Sequence, residues 1–118
     1  MKVLVVEHDK APYVKDIPSG LEALQSEVGG YIQVVYPFDD NVGLVCNEEG
    51  KLMGLPLNRP LYHDGKLYDI LAGTFLVVGL TESDFDSLTD EQIEIYTHWF
   101  RDTFTYAKIN GEIVAIPN

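Results

Sequence analysis

The sequence predicts an α+β domain: a mainly antiparallel or mixed sheet, two helices packed on it and a C-terminal β-hairpin. Three observations carry that prediction. Apolar, β-branched runs such as Lys2-Val3-Leu4-Val5-Val6 and Thr74-Phe75-Leu76-Val77-Val78-Gly79 have the length and composition of buried strands. Most of these runs are joined by turn residues and not by helical crossovers, which favours antiparallel neighbours. Two segments with capping-box spacing open short helical patterns.

The elements follow in chain order. Residues 2–6 form a first strand, and Tyr13-Val14-Lys15-Asp16-Ile17, between Pro12 and Pro18, alternates by twos as a short second one. Ser19 with Glu22 has capping-box spacing, Leu21, Leu24 and Val28 fall at helical intervals, and Gly29-Gly30 supplies the stop. A helix of two to three turns is expected there. Tyr31–Tyr36 and Val42–Cys46 read as an antiparallel pair around the polar loop Pro37–Asn41. After the turn Asn47-Glu48-Glu49-Gly50, residues Lys51–Leu55 are expected to pair back as a short strand. Pro56 to Asp69 holds two prolines and a second turn, His63-Asp64-Gly65-Lys66, and reads as a loop or lid longer than a plain connector. Ile70–Gly73 is expected to make a helical turn before the strand at 74–79.

Thr89 and Gln92 make the second capping box, with Asp90 and Glu91 in the first turn where the helix dipole favours negative charge. Ile93, Tyr96 and Phe100 share one face of that helix, with Trp99 and Phe104 beside it. Asn110-Gly111 between Thr105–Ile109 and Glu112–Ile116 is the sequence of a two-residue hairpin turn.

At 118 residues with 46% apolar residues, seven Tyr, five Phe and one Trp, a single domain over 1–118 with its own core is expected. No apolar stretch reaches the roughly 20 residues of a membrane helix, and the N-terminal run is too short for a signal sequence. A lone Cys46 excludes an internal disulfide and points to a reducing, cytoplasmic setting.

The net charge of −11, from 19 carboxylates against 8 Lys and Arg, disfavours direct contact with nucleic-acid phosphates. A basic protein partner, or simple solubility, fits that charge better, and no membrane contact is expected.

No catalytic constellation stands out. His8, His63 and His98 lie far apart with no zinc spacing, so no metal is expected, and no phosphate or dinucleotide loop implies a cofactor. Asp39, Asp40, Glu48 and Glu49 could face one another as a carboxylate pair, but all lie in predicted turns where acids are common.

Two stretches carry binding hypotheses. Gly54-Leu55-Pro56-Leu57-Asn58-Arg59-Pro60 places an amide and one of the chain's two arginines between prolines. Such a segment suits a planar anionic acceptor. In that reading Asn58 and Arg59 hold an anionic small ligand or nucleotide derivative. Asn47 and Asp69 converge on the same cleft, and Tyr31, Tyr36 or Tyr62 stacks on a ring. The competing reading has Arg59 neutralising a carboxylate such as Asp69. The second stretch holds Glu82, Asp84, Asp86, Asp90, Glu91 and Glu94 without a single Lys or Arg. It reads either as a partner-binding face that imitates phosphate spacing or as a solvated helix start.

KVLVVE, LEALQSEVGGYIQVVYP, CNEEGKLMGLPLNR and DILAGTFLVVG, taken in order, resemble domain-of-unknown-function family 3846 over roughly residues 1–88, leaving the acidic helix and hairpin of 89–118 less diagnostic. The resemblance implies a small protein of bacteria, archaea or phages, often encoded on conjugative elements or prophages and sometimes beside antirestriction genes. It assigns no activity to any residue. Together these readings lead to an accessory protein of a mobile genetic element, non-enzymatic, that binds a protein through its acidic surface in an anti-defence or nucleic-acid-mimic role.

Overall fold

The computed structural model describes residues 1–118. Its main sheet orders the strands β2 (Tyr13–Asp16), β1 (Lys2–Val6), β7 (Phe75–Leu80), β4 (Val42–Asn47) and β3 (Ile32–Val35), with the two-residue β8 (Phe85–Asp86) added on β7. Every pairing is antiparallel, which narrows the expected antiparallel or mixed sheet.

The three central strands are covered on both faces, so their sequences are continuous apolar runs without in–out alternation. On one face Val3, Val5, Val45, Leu76 and Val78 pack against Leu24 and Val28 of helix α1 (Leu21–Val28). On the other, Leu4, Val6, Leu44, Phe75 and Val77 meet Leu61 and Leu71 of a hairpin, β5 (Leu57–His63) with β6 (Lys66–Ala72), and Tyr96 and Phe100 at helix α2 (Asp90–Trp99). Each fully buried Val or Leu contributes about 1.5–3 kcal/mol, so the two faces of this one sheet hold most of the fold together. The last element is a separate two-stranded sheet, β9 (Phe104–Ile109) with β10 (Glu112–Pro117). Neither helix is long and apolar enough to cross a membrane.

The turn chemistry explains where strands reverse. Asp64 and Gly65 have φ of 50° and 76°, and Asn110 and Gly111 have 51° and 83°, the left-handed pair that a two-residue hairpin requires. Gly79 serves a different purpose: a Cβ there would lie 2.5 Å from the carbonyl oxygen of Ser87, so only glycine lets the β8 segment close on β7.

Several sequence expectations are corrected. Pro56–Asp69 is no lid: the Asp64-Gly65 turn joins two strands, and Pro60 is accommodated beside the irregular pairing between Leu57 and Pro60, where a missing N–H disturbs no regular ladder. Ile70–Ala72 continue β6 as strand and do not form a helical turn. Lys51–Gly54 is a run of turns, held by Met53 N–H donating to Glu49 O and Gly54 N–H to Lys51 O. The Ser19–Glu22 capping box does not form either. Gly20 is the N-cap, no side chain caps the helix, and Leu21 stays 54% exposed. The stop at Gly29 (φ 80°) and the Thr89–Gln92 box are both present.

Candidate functional site

Arg59 is the most buried charged group in the chain, 1% exposed, and its neighbour Asn58 is fully buried. Both project from β5 into the junction between the end of β1, the loop after it and the end of α2. Nε and Nη2 of Arg59 donate to Phe100 O at 3.0 and 2.8 Å. Nη2 also reaches Lys10 O at 2.8 Å, and Nη1 donates to Glu7 O at 3.1 Å and Asn58 Oδ1 at 2.8 Å. A guanidinium has five N–H groups, and these contacts use all five. Asn58 is equally committed: its Nδ2 donates to Val6 O and Gly73 O, both at 2.9 Å, and its backbone carbonyl accepts from Tyr106 Oη at 2.7 Å.

No carboxylate pairs with Arg59. Burial lowers its pKa from the usual arginine value, and the ring of carbonyl dipoles is what compensates the desolvated charge. This corrects both sequence readings of the segment. Arg59 and Asn58 have no donor left for an anionic ligand, and the carboxylate of Asp69 is paired instead with Lys51.

The remaining ligand candidates divide. Asn47 and Asp69 do line one cavity of about 110 Å³, together with Gln33, Cys46, Lys51 and Leu71. Yet Asn47 is occupied structurally: Nδ2 donates to Val28 O at 3.1 Å, at the end of α1, and Oδ1 accepts from Glu49 N at 2.8 Å. Asp69 accepts from Lys51 Nζ and from Ile70 N. Tyr31 is 71% exposed and lies outside this cavity, and Asn58 and Arg59 do not line it. Burial pushes the Cys46 thiol up from its ordinary value, which leaves it a poor nucleophile.

The acidic residues behave differently. Glu82 and Asp84 lie in the turn between β7 and β8, Asp86 ends β8, and Asp90, Glu91 and Glu94 lie on α2; all six are exposed. None forms an ion pair with any Lys, Arg or His. At 100° per residue, Asp90, Glu91 and Glu94 fall within a 100° arc of α2, opposite Ile93, Tyr96 and Phe100, which face the core. The helix therefore presents a carboxylate face outward by the same periodicity that buries its aromatic face.

Sequence reasoning missed one constellation. Phe38, from the loop it read only as polar, packs at the end of α2 with ring centroids 4.9 Å from Tyr96 and 5.2 Å from Trp99. With Pro37, Pro60, Leu61 and Tyr62, Phe38 and Trp99 line a groove of about 160 Å³. The single large residue in the stretch Pro37–Asn41 was the available signal. What it packs against is set by the Asp40 carboxylate, which accepts from Tyr96 Oη at 2.7 Å and Gln92 Nε2 at 3.3 Å and ties the loop to α2.

No curated protein and no solved structure matches the chain. The family model of the domain of unknown function DUF3846 matches residues 1–101, which run from β1 through the end of α2 and so include both the buried arginine and the acidic helix. The chain belongs to the DUF3846 family.

Proposed function

We propose that this chain is a non-enzymatic binding protein, an accessory of a mobile genetic element, that meets a basic protein partner through the carboxylates of the β7–β8 turn and α2. The observation that carries the reading is that Glu82, Asp84, Asp86, Asp90, Glu91 and Glu94 are all exposed and all free of cationic partners. In a chain of net charge −11 such unpaired carboxylates attract Lys and Arg clusters over about a Debye length. A surface evolved to grip nucleic acid is therefore a natural counterpart, which gives the anti-defence or phosphate-mimic role its physical basis. The setting proposed is the cytoplasm, in keeping with a free, buried Cys46.

The test compares the wild type with Asp90→Asn/Glu91→Gln/Glu94→Gln for capture of host proteins at rising salt. The expected result is a basic protein retained by the wild type at low salt, released as salt rises, and lost from the variant. Identical capture by both proteins would sink the reading.

A further inference from the structure

The C-terminal hairpin has an unusual surface for this chain. Residues 103–118 contain Lys108 and Glu112 and no other charged side chain, so they are electrically balanced in a chain of net charge −11. Its strands are mostly apolar, with Lys108 on one face and Thr105 and Glu112 on the other. Tyr106 and Ala115 face the body, where Tyr106 Oη bonds to Asn58 O. The opposite face carries Ile109, Val114 and Ile116, which are 52, 37 and 43% exposed. A two-stranded sheet that meets water on one side is expected to be polar there.

The edge is unpaired as well, and at Glu112 and Ile113 it borders a groove of about 620 Å³ whose other wall is Leu57, Leu67, Tyr68 and Ile70 of the β5–β6 hairpin. Register pairs Ile109 with Glu112, Ala107 with Val114 and Thr105 with Ile116, and Asn118 N–H donates to Thr103 O at 3.0 Å. In an antiparallel ladder bonded and non-bonded pairs alternate, so Glu112, Val114 and Ile116 face β9. Ile113 and Ala115 then direct N–H and C=O groups away from it, and neither N–H finds a partner elsewhere in the chain. Only Glu112 and Pro117, at the two ends of β10, blunt this edge in the ways edge strands are usually protected.

We propose that β10 pairs antiparallel with β10 of a second copy of this chain, joining two hairpins into a four-stranded sheet. A two-fold axis at Val114 sets Ile113 against Ala115 of the second copy and Glu112 against Ile116, so each strand meets its own complement and no like charges oppose. The local neutrality favours a second copy as occupant: elsewhere two such chains repel, and a basic partner finds nothing to attract it here. A six-residue edge is about 20 Å long. A single strand edge of that length covers less than the roughly 800 Å² per partner of a standard interface, so the dimer is weak and concentration-dependent. This proposal does not rest on the acidic-face reading, and salt separates the two. Screening leaves the dimer unchanged or strengthens it, whereas it weakens a charge-driven partner complex.

The test is sedimentation of the full chain up to about 1 mM, the weak end of specific association, beside the variant Ala115→Pro. Proline there removes an outward N–H while leaving the β9–β10 bonds in place. The expected result is a dimer for the wild type and a monomer of unchanged circular dichroism for Ala115→Pro. Amide exchange of the wild type supplies a readout independent of the variant: the Ile113 and Ala115 amides should slow at least tenfold between dilute and concentrated protein. A wild type that stays monomeric, a dimer that survives Ala115→Pro, or exchange at those two amides that ignores concentration would each overturn the proposal.

Discussion

The guanidinium of Arg59 holds the carbonyl oxygen of Phe100 with two donors, Nε at 3.0 Å and Nη2 at 2.8 Å. Phe100 is the C-cap of α2, where the helix leaves carbonyls unsatisfied and its dipole is negative. A cation fits there, and the same cation ties down Glu7 O and Lys10 O in the loop after β1. Arg59→Ala strips the buried Phe100 carbonyl and the partly buried Glu7 and Lys10 carbonyls of their donors, at about 1–3 kcal/mol for each one left unpaired away from water. A loss of at least about 3 kcal/mol in urea unfolding is expected, with Arg59→Lys recovering only part because an ammonium cannot match the planar fork. A loss below about 1 kcal/mol, the level of an ordinary substitution, would show that water replaces the guanidinium freely.

Arg59 also marks the limit of what the sequence made legible. Its rarity and its place between prolines single it out correctly, but donors in a sequence do not reveal which acceptors the fold will bring to them. Those acceptors are backbone carbonyls of residues 7, 10 and 100, up to 52 positions away, and a carbonyl leaves no trace in the residue type. Strands covered on both faces, such as Lys2–Val6 and Phe75–Leu80, were legible because burial writes itself as apolar runs. The β5–β6 hairpin was hidden because Asn58, Arg59 and Pro60 lower strand propensity, although the Asp64-Gly65 turn between its strands was in plain view.

The link between Asp40 and Tyr96 makes a pH prediction at both ends of the scale. The hydrogen bond from Tyr96 Oη, with those from Asn41 N and Gln92, holds the Asp40 carboxyl below its usual range. Burial and the Asp40 bond push the Tyr96 phenol up. A depressed carboxyl contributes stability that is present above its unfolded pKa, about 3.9, and lost as pH falls through its folded value. A raised phenol contributes stability that is full below its unfolded pKa, about 10, and lost as pH rises toward its folded value. Asp40→Asn should therefore flatten the acid limb of a stability-versus-pH curve below about pH 4, and Tyr96→Phe should flatten the alkaline limb above about pH 10. Unchanged limbs in both variants would remove this contact from the account.

Two segments carry the same capping spacing and only one forms the motif, which yields a paired mutational test. Thr89 Oγ1 accepts from Gln92 N at 3.1 Å while Gln92 Oε1 accepts from Thr89 N at 3.0 Å. Ser19 makes no such bond, because Gly20 occupies the cap. Thr89→Ala should cost about 1 kcal/mol, and Ser19→Ala should stay within about 0.5 kcal/mol of zero. Equal costs at the two sites would mean that the α1 cap forms in solution after all.

The carboxylates of α2 allow binding and stability to be separated, because they share a face but not a helical position. Asp90 and Glu91 lie in the first turn, where negative charge meets the positive end of the dipole, and Glu94 lies beyond it. Neutralising Asp90 or Glu91 should lower the thermal midpoint slightly, while Glu94→Gln should leave it unchanged. A partner that reads the face as a field should lose affinity at all three positions, by a few-fold each at low salt and less at high salt. Binding losses at Asp90 and Glu91 alone, tracking their thermal losses with Glu94→Gln silent, would reduce the acidic stripe to a device for starting a helix.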